Sequence, residues 1–160
     1  MDSDAYNQQQ LDDLLSKMIE FYEGDPKRIQ HFIKVHSFAK LIGSQEKLDD
    51  VTMFILEAAA YTHDIGIKIA EEKYGKCDGK LQEQEGIEPA EKMLSELGYD
   101  TDVINRVAYL VGHHHTYTDV EGMDYQILLE ADFLVNLYEN HCDMAAVKSA
   151  YERIFRTQTG

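Results

Sequence analysis

Tryptophan is absent from this 160-residue chain, and proline and cysteine occur only twice each. Cys77 and Cys142 lie far apart without a Cys-x-x-Cys spacing, which excludes a disulfide framework and a thiolate zinc site and fits a reducing, cytoplasmic setting. Basic residues are scarce as well: fifteen lysines and arginines stand against thirty acidic side chains, for a formal charge of −15. A field of that sign repels polyanions, so neither a nucleic-acid polymer nor an anionic membrane is an expected partner. It still admits a small phosphorylated molecule where a bound cation inverts the local sign. No apolar run approaches the roughly 20 residues that span a bilayer, and the acidic stretch from Met1 to Gln10 lacks the basic and apolar regions of a secretion signal. Strand signals are equally thin, because β-branched alternation is nearly missing and no Asn-Gly or Asp-Gly pair separates two such runs.

What is present is helical periodicity. Hydrophobic residues make up 44% of the chain, enough for one domain with its own core. Leu11, Leu14, Leu15, Met18 and Ile19 form a stripe on a first helix ending near Gly24. Asp25-Pro26 reads as an N-cap with proline at the first helical position, opening a second helix to about Gly43. A third, rich in alanine, runs from about Asp50 to His63 and is terminated by Gly66. Glu72 to Gly79 reads as a loop, and Pro89 as the first turn of a helix from about Glu88 to Leu97. Further helices are expected over Thr101–His114, Tyr125–Tyr138 and Asp143–Phe155. The expectation is all-α: a single compact bundle of about six to seven helices over residues 1–160, with an N-terminal helix over 6–23 packed on the core.

Seven histidines are present, most in or beside these helices. His63-Asp64 ends the third helix. Adjacent helical residues point about 100° apart, so both reach one ion only beyond the helix end; otherwise the pair is a histidine on the helix dipole and a turn aspartate. His31 and His36 share the second helix five residues apart and point in different directions, with His36 in the more apolar company. Asp132 lies in the apolar run from Ile127 to Val135 and needs a partner, either a metal or a basic side chain; Glu130 is an equal candidate by spacing. In His113-His114-His115 the middle residue continues the core stripe of Val103, Val107, Leu110 and Val111.

Taken in order, His31-x-x-x-Val35-x-x-x-Ala39, His63-Asp64-Ile65-Gly66, His113-His114-His115 and Glu130-Ala131-Asp132 closely resemble the HD-domain superfamily of metal-dependent phosphohydrolases, with the motif covering residues 28–137. The resemblance selects His31 over His36 and Asp132 over Glu130. It implies a helical bundle in which His31, His63, Asp64 and Asp132 bind one divalent cation. Two imidazoles and two carboxylates suit Fe, Mn, Zn, Co, Ni or Mg. Asp64, His113 and His114 then take the catalytic roles beside a metal-activated water. Lys68, two residues past the HDIG turn, resembles the family's phosphate-contacting lysine, and Glu83 is a candidate substrate-side carboxylate. Gln82, in Gln82-Glu83-Gln84-Glu85-Gly86, stands where dinuclear members carry a histidine, which argues against a second ion of the usual kind. Glu121-Gly122-Met123-Asp124-Tyr125 lacks the Gly-Tyr-Pro signature of the cyclic-dinucleotide branch. The implied activity is hydrolysis of a small phosphorylated molecule, a nucleotide first of all. A metal- and nucleotide-binding sensor and a di-iron oxygenase are the alternatives.

Overall fold

Asp25, Asp49, Asp78 and Asp143 each set a side-chain oxygen on the backbone N–H three residues further on, and a helix begins directly after each of them. The computed structural model describes residues 3–160, with side chains from residue 8 onward. Eight helices and no strand are found among them: α1 (Ser3–Phe21), α2 (Pro26–Gln45), α3 (Asp50–Thr62), α4 (Gly66–Tyr74), α5 (Gly79–Glu96), α6 (Thr101–Val111), α7 (Met123–Glu139) and α8 (Met144–Arg153).

α3 is the centre. Its residues Leu56, Ala58, Ala59 and Ala60 are fully buried, and three consecutive alanines let α2, α6 and α7 approach it from different sides. α2 packs on both α3 and α7, bringing Phe32, Val35 and Ala39 to the same interior as Ile127, Leu128 and Ala131. α1 lies across α3 and α5 through Leu11, Leu14 and Met18, and α4 packs on α5, which packs in turn on α6. No helix is long and apolar enough to cross a membrane among the described residues.

Two expectations need correction. The stretch after His63-Asp64 is helical, since α4 begins at Gly66 itself, and the expected loop shrinks to the turn after Gly75, whose φ of 70° closes α4. α5 starts nine residues early, at Gly79, and runs through Pro89. The Asp78 cap sets that start, and the helix carries its proline at the cost of one backbone hydrogen bond. Gly66 therefore serves proximity, not a turn. A Cβ there would stand 2.3 Å from the Gln82 carbonyl oxygen and 2.7 Å from the Gly86 nitrogen, so only glycine lets α4 lie this close to α5.

Candidate metal centre

Four segments deliver one cluster. The interior of α2 supplies His31, the end of α3 supplies His63 and the following Asp64, the turn after α6 supplies His114, and the middle of α7 supplies Asp132. His31 Nε2 lies 3.3 Å from His63 Nε2, 3.1 Å from Asp64 Oδ2 and 3.2 Å from Asp132 Oδ1. His63 Nε2 lies 3.3 Å from Asp64 Oδ2 and 3.4 Å from Asp132 Oδ1, and His114 Nε2 lies 3.3 Å from Asp64 Oδ1. Metal–ligand bonds of about 2.1 Å give ligand–ligand edges of about 3.0 to 3.4 Å in octahedral and tetrahedral shells, so the spacing is that of ligands around one ion.

Ring tautomers make the same point. His63 Nδ1 donates to the Ala60 carbonyl at 2.8 Å, His114 Nδ1 to the Val111 carbonyl at 2.7 Å, and His31 Nδ1 to Glu139 Oε1 at 2.5 Å. With each Nδ1 proton committed, the Nε2 atoms of His31 and His63 face both Asp64 and Asp132, and that of His114 faces Asp64. His114 Nε2 is buried without a hydrogen-bond partner. Lone pairs and carboxylates crowded at van der Waals range repel one another unless positive charge lies between them. Protons meet part of that need in the bare cluster. Burial opposes charge on His31, but its hydrogen bonds to Asp132 and Asp64 outweigh it and lift its pKa to about 10. His63 is raised well above its ordinary value by the same two carboxylates, again against burial. Burial pushes the Asp64 carboxyl upward, yet the neighbouring rings of His63, His114 and His31 hold it well below the usual carboxylate range. Asp132 is likewise held low by His63 and His31. A divalent cation set among His31, His63, Asp64 and Asp132 would supply that positive charge. His31, His63 and Asp64 form one group able to hold a metal, and Asp64, His114 and His115 a second.

The cluster floors a cleft of about 270 Å³ walled by Ile67, Gln82, His115, Asn136 and Glu139, with Lys27 and Arg28 at its edge. A larger hollow of about 400 Å³ lies at the N-terminal ends of α3 and α6, lined by Gln10, Asp50, Phe54 and Asp100; it contains no histidine and none of the expected site residues.

Several expected residues fall elsewhere. His113 stacks on Tyr109 at 4.0 Å between ring centres and donates to the Tyr109 carbonyl, away from the cluster. The reason is angular: with His114 turned inward, its neighbour must face another way. Lys68 bonds the Phe21 carbonyl at 2.9 Å with its ammonium over the Phe21 ring, bracing the end of α1 instead of reaching the cleft. Glu83 accepts from the His115 backbone and the Thr116 hydroxyl, so it pins the turn after α6. Gln82 holds His115 Nε2 at 2.7 Å, its own amide donating to the Cys77 carbonyl. His36 stacks on Tyr61 and meets Glu57 at 3.0 Å, a satisfied interior histidine.

Four supporting residues escaped sequence reasoning. Asn136 donates to Asp132 Oδ1, Glu139 accepts from His31, and Tyr22 donates to the Asp64 carbonyl at 2.6 Å. His115, the last of the histidine run, is in the cleft wall. Asn136 and Glu139 follow Asp132 by four and seven residues, the helical spacing that could have flagged them; Tyr22 carries no local signal.

The HD domain family model matches residues 28–151. A predicted HD superfamily hydrolase from an uncultured Thermotogales bacterium, known from its crystal structure, is 26% identical, with a TM-score of 0.64 over 92% of this chain and 78% of that one. YpgQ of Bacillus subtilis shares the fold at 18% identity, with a TM-score of 0.62 over 89% of this chain and 68% of its own. No curated protein matches the chain.

Proposed function

This chain belongs to the HD domain family, and from that premise we propose that it is a metal-dependent hydrolase of a small phosphorylated substrate, a nucleotide first of all. His31, His63, Asp64 and Asp132 would hold one divalent cation. One observation carries the reading: three imidazole Nε2 atoms and two carboxylates converge within 3.1 to 3.4 Å of their neighbours while every Nδ1 proton points outward. Such a cation would supply Lewis acidity, lowering the pKa of water and offsetting phosphate charge.

The chain's own residues do the rest. Asp64 spans the cluster, with Oδ2 toward His31 and His63 and Oδ1 toward His114. That leaves His114 Nε2, free of any other partner, to accept a proton or orient the attacking water. Lys27 and Arg28, at the cleft edge, place positive charge where phosphate oxygens would enter an otherwise acidic molecule. Arg28 is held there by Glu71.

The test is steady-state phosphate release from a panel of nucleoside mono-, di- and triphosphates and sugar phosphates, with Mn²⁺ supplied. At least one substrate should turn over, and His63→Ala should fall to background. Nucleotide binding by calorimetry with no turnover across the panel would favour the sensor, a reading that Gln82 supports by tying up His115.

A further inference from the structure

We infer that Glu139 is a positioning residue of the metal centre, fixing His31 in the ring orientation and tautomer that ligation requires; the inference rests on the metal-binding reading above. Glu139 closes α7, seven residues beyond Asp132 and so two turns along nearly the same face. Its Oε1 accepts a hydrogen bond from His31 Nδ1–H at 2.5 Å, and its Oε2 accepts one from Lys34 Nζ at 2.9 Å. The side chain is only 15% exposed. Both oxygens are thus committed, and the carboxylate cannot swing toward the cation without releasing the ring.

The consequence for His31 is chemical. An imidazole presents a lone pair at only one nitrogen when neutral, and the other tautomer would aim an N–H at the ion. A half-turn of the ring would aim a carbon. With Nδ1–H held by Glu139, the lone pair is left on Nε2, the atom that faces His63, Asp64 and Asp132. A negatively charged acceptor also makes that nitrogen a stronger donor toward a cation. His63 and His114 make the same choice through backbone carbonyls of their own helices, Ala60 and Val111. Among these three rings, His31 alone takes its tautomer from a side chain. One helix therefore supplies a ligand, Asp132, and the group that aims a second ligand on α2.

Zn²⁺ affinity, measured by chelator competition, separates this role from a merely structural one. Glu139→Ala is expected to bind Zn²⁺ about ten- to hundredfold more weakly than the natural chain. Glu139→Gln keeps an acceptor for Nδ1–H and should recover most of that loss. In the Zn²⁺-loaded protein, the His31 Nδ1–H proton resonance should be visible, shifted in Glu139→Gln, and lost to solvent exchange in Glu139→Ala. Should Glu139→Ala fail to fold, unchanged affinity and an unshifted resonance in Glu139→Gln overturn the inference. A folded Glu139→Ala with full Zn²⁺ affinity does the same. Failure of the natural chain to bind Zn²⁺ is a different result, and it overturns the metal-binding reading.

Discussion

Asp132 and Glu130 stand two residues apart on α7, both buried, and their surroundings give them opposite tasks. Asp132 faces His31 and His63. Glu130 instead gathers the C-terminal segment, accepting from the Arg156 and Thr157 backbone, the Thr157 hydroxyl and Gln126. Glu130→Ala should therefore cost about 1 to 3 kcal/mol in denaturant unfolding, by stranding those donors, and leave metal-induced stabilisation intact. Asp132→Ala should abolish that stabilisation, which in the natural chain reaches about 2.7 kcal/mol at a free metal concentration near 100 times Kd. Equal metal response in the two variants would contradict this division. The same cluster sets a pH dependence. His31 has its pKa raised from 6.5 to about 10, against burial, by Asp132 and Asp64. Its proton therefore stabilises the metal-free fold fully below about pH 6.5, and the contribution is lost as pH rises through about 10. Bound metal replaces that proton, so its own contribution grows with pH. Melting curves with chelator and with metal should diverge as pH increases, and parallel curves would count against the assignment. Sequence periodicity pointed at His36 because its neighbours are apolar, but apolar neighbours signal burial, and burial is what Glu57 and Tyr61 provide. What distinguishes His31 is the set of groups it meets across the fold, which no local pattern contains.

At the scale of elements, helix starts were readable at the aspartate caps Asp25, Asp49 and Asp143, but not at Asp78. The α4–α5 region was harder, because two glycines and a proline there look like punctuation. Gly66 and Gly86 are needed for contact: a Cβ at Gly86 would lie 2.7 Å from Val111 Cγ1, and one at Gly66 would strike α5 backbone. The backbone of α5 cannot yield as a flexible side chain would. Gly66→Ala should thus lose about 1 to 3 kcal/mol of stability and weaken metal binding, because α4 would move and carry Asp64 with it. Calorimetric melting checks the first effect and chelator competition the second; an unperturbed Gly66→Ala would mean the two helices separate without consequence. Tyr22 and Lys68 belong to this scale too. By bonding the Asp64 and Phe21 carbonyls they tie the end of α1 to α4 and the turn that carries Asp64, so the first helix braces the cluster.

For the molecule as a whole, helical class and the order of the principal helices were legible because amphipathic periodicity reports burial directly. The site was legible only as an ordered motif: His31, His63, Asp64 and Asp132 lie on three helices and a turn, and their convergence is a property of the packing of α2, α3 and α7. His113, Lys68 and Glu83 point to other partners than the cluster, because spacing cannot say which way a side chain turns. An ion held by residues from separate helices should also join them, so metal and fold stand or fall together. The most direct measurement is anomalous diffraction from crystals grown with Zn²⁺. The account predicts a peak about 2.0 to 2.2 Å from His31 Nε2, His63 Nε2, an Asp64 oxygen and an Asp132 oxygen; a fully loaded crystal with no peak among those four side chains would contradict it.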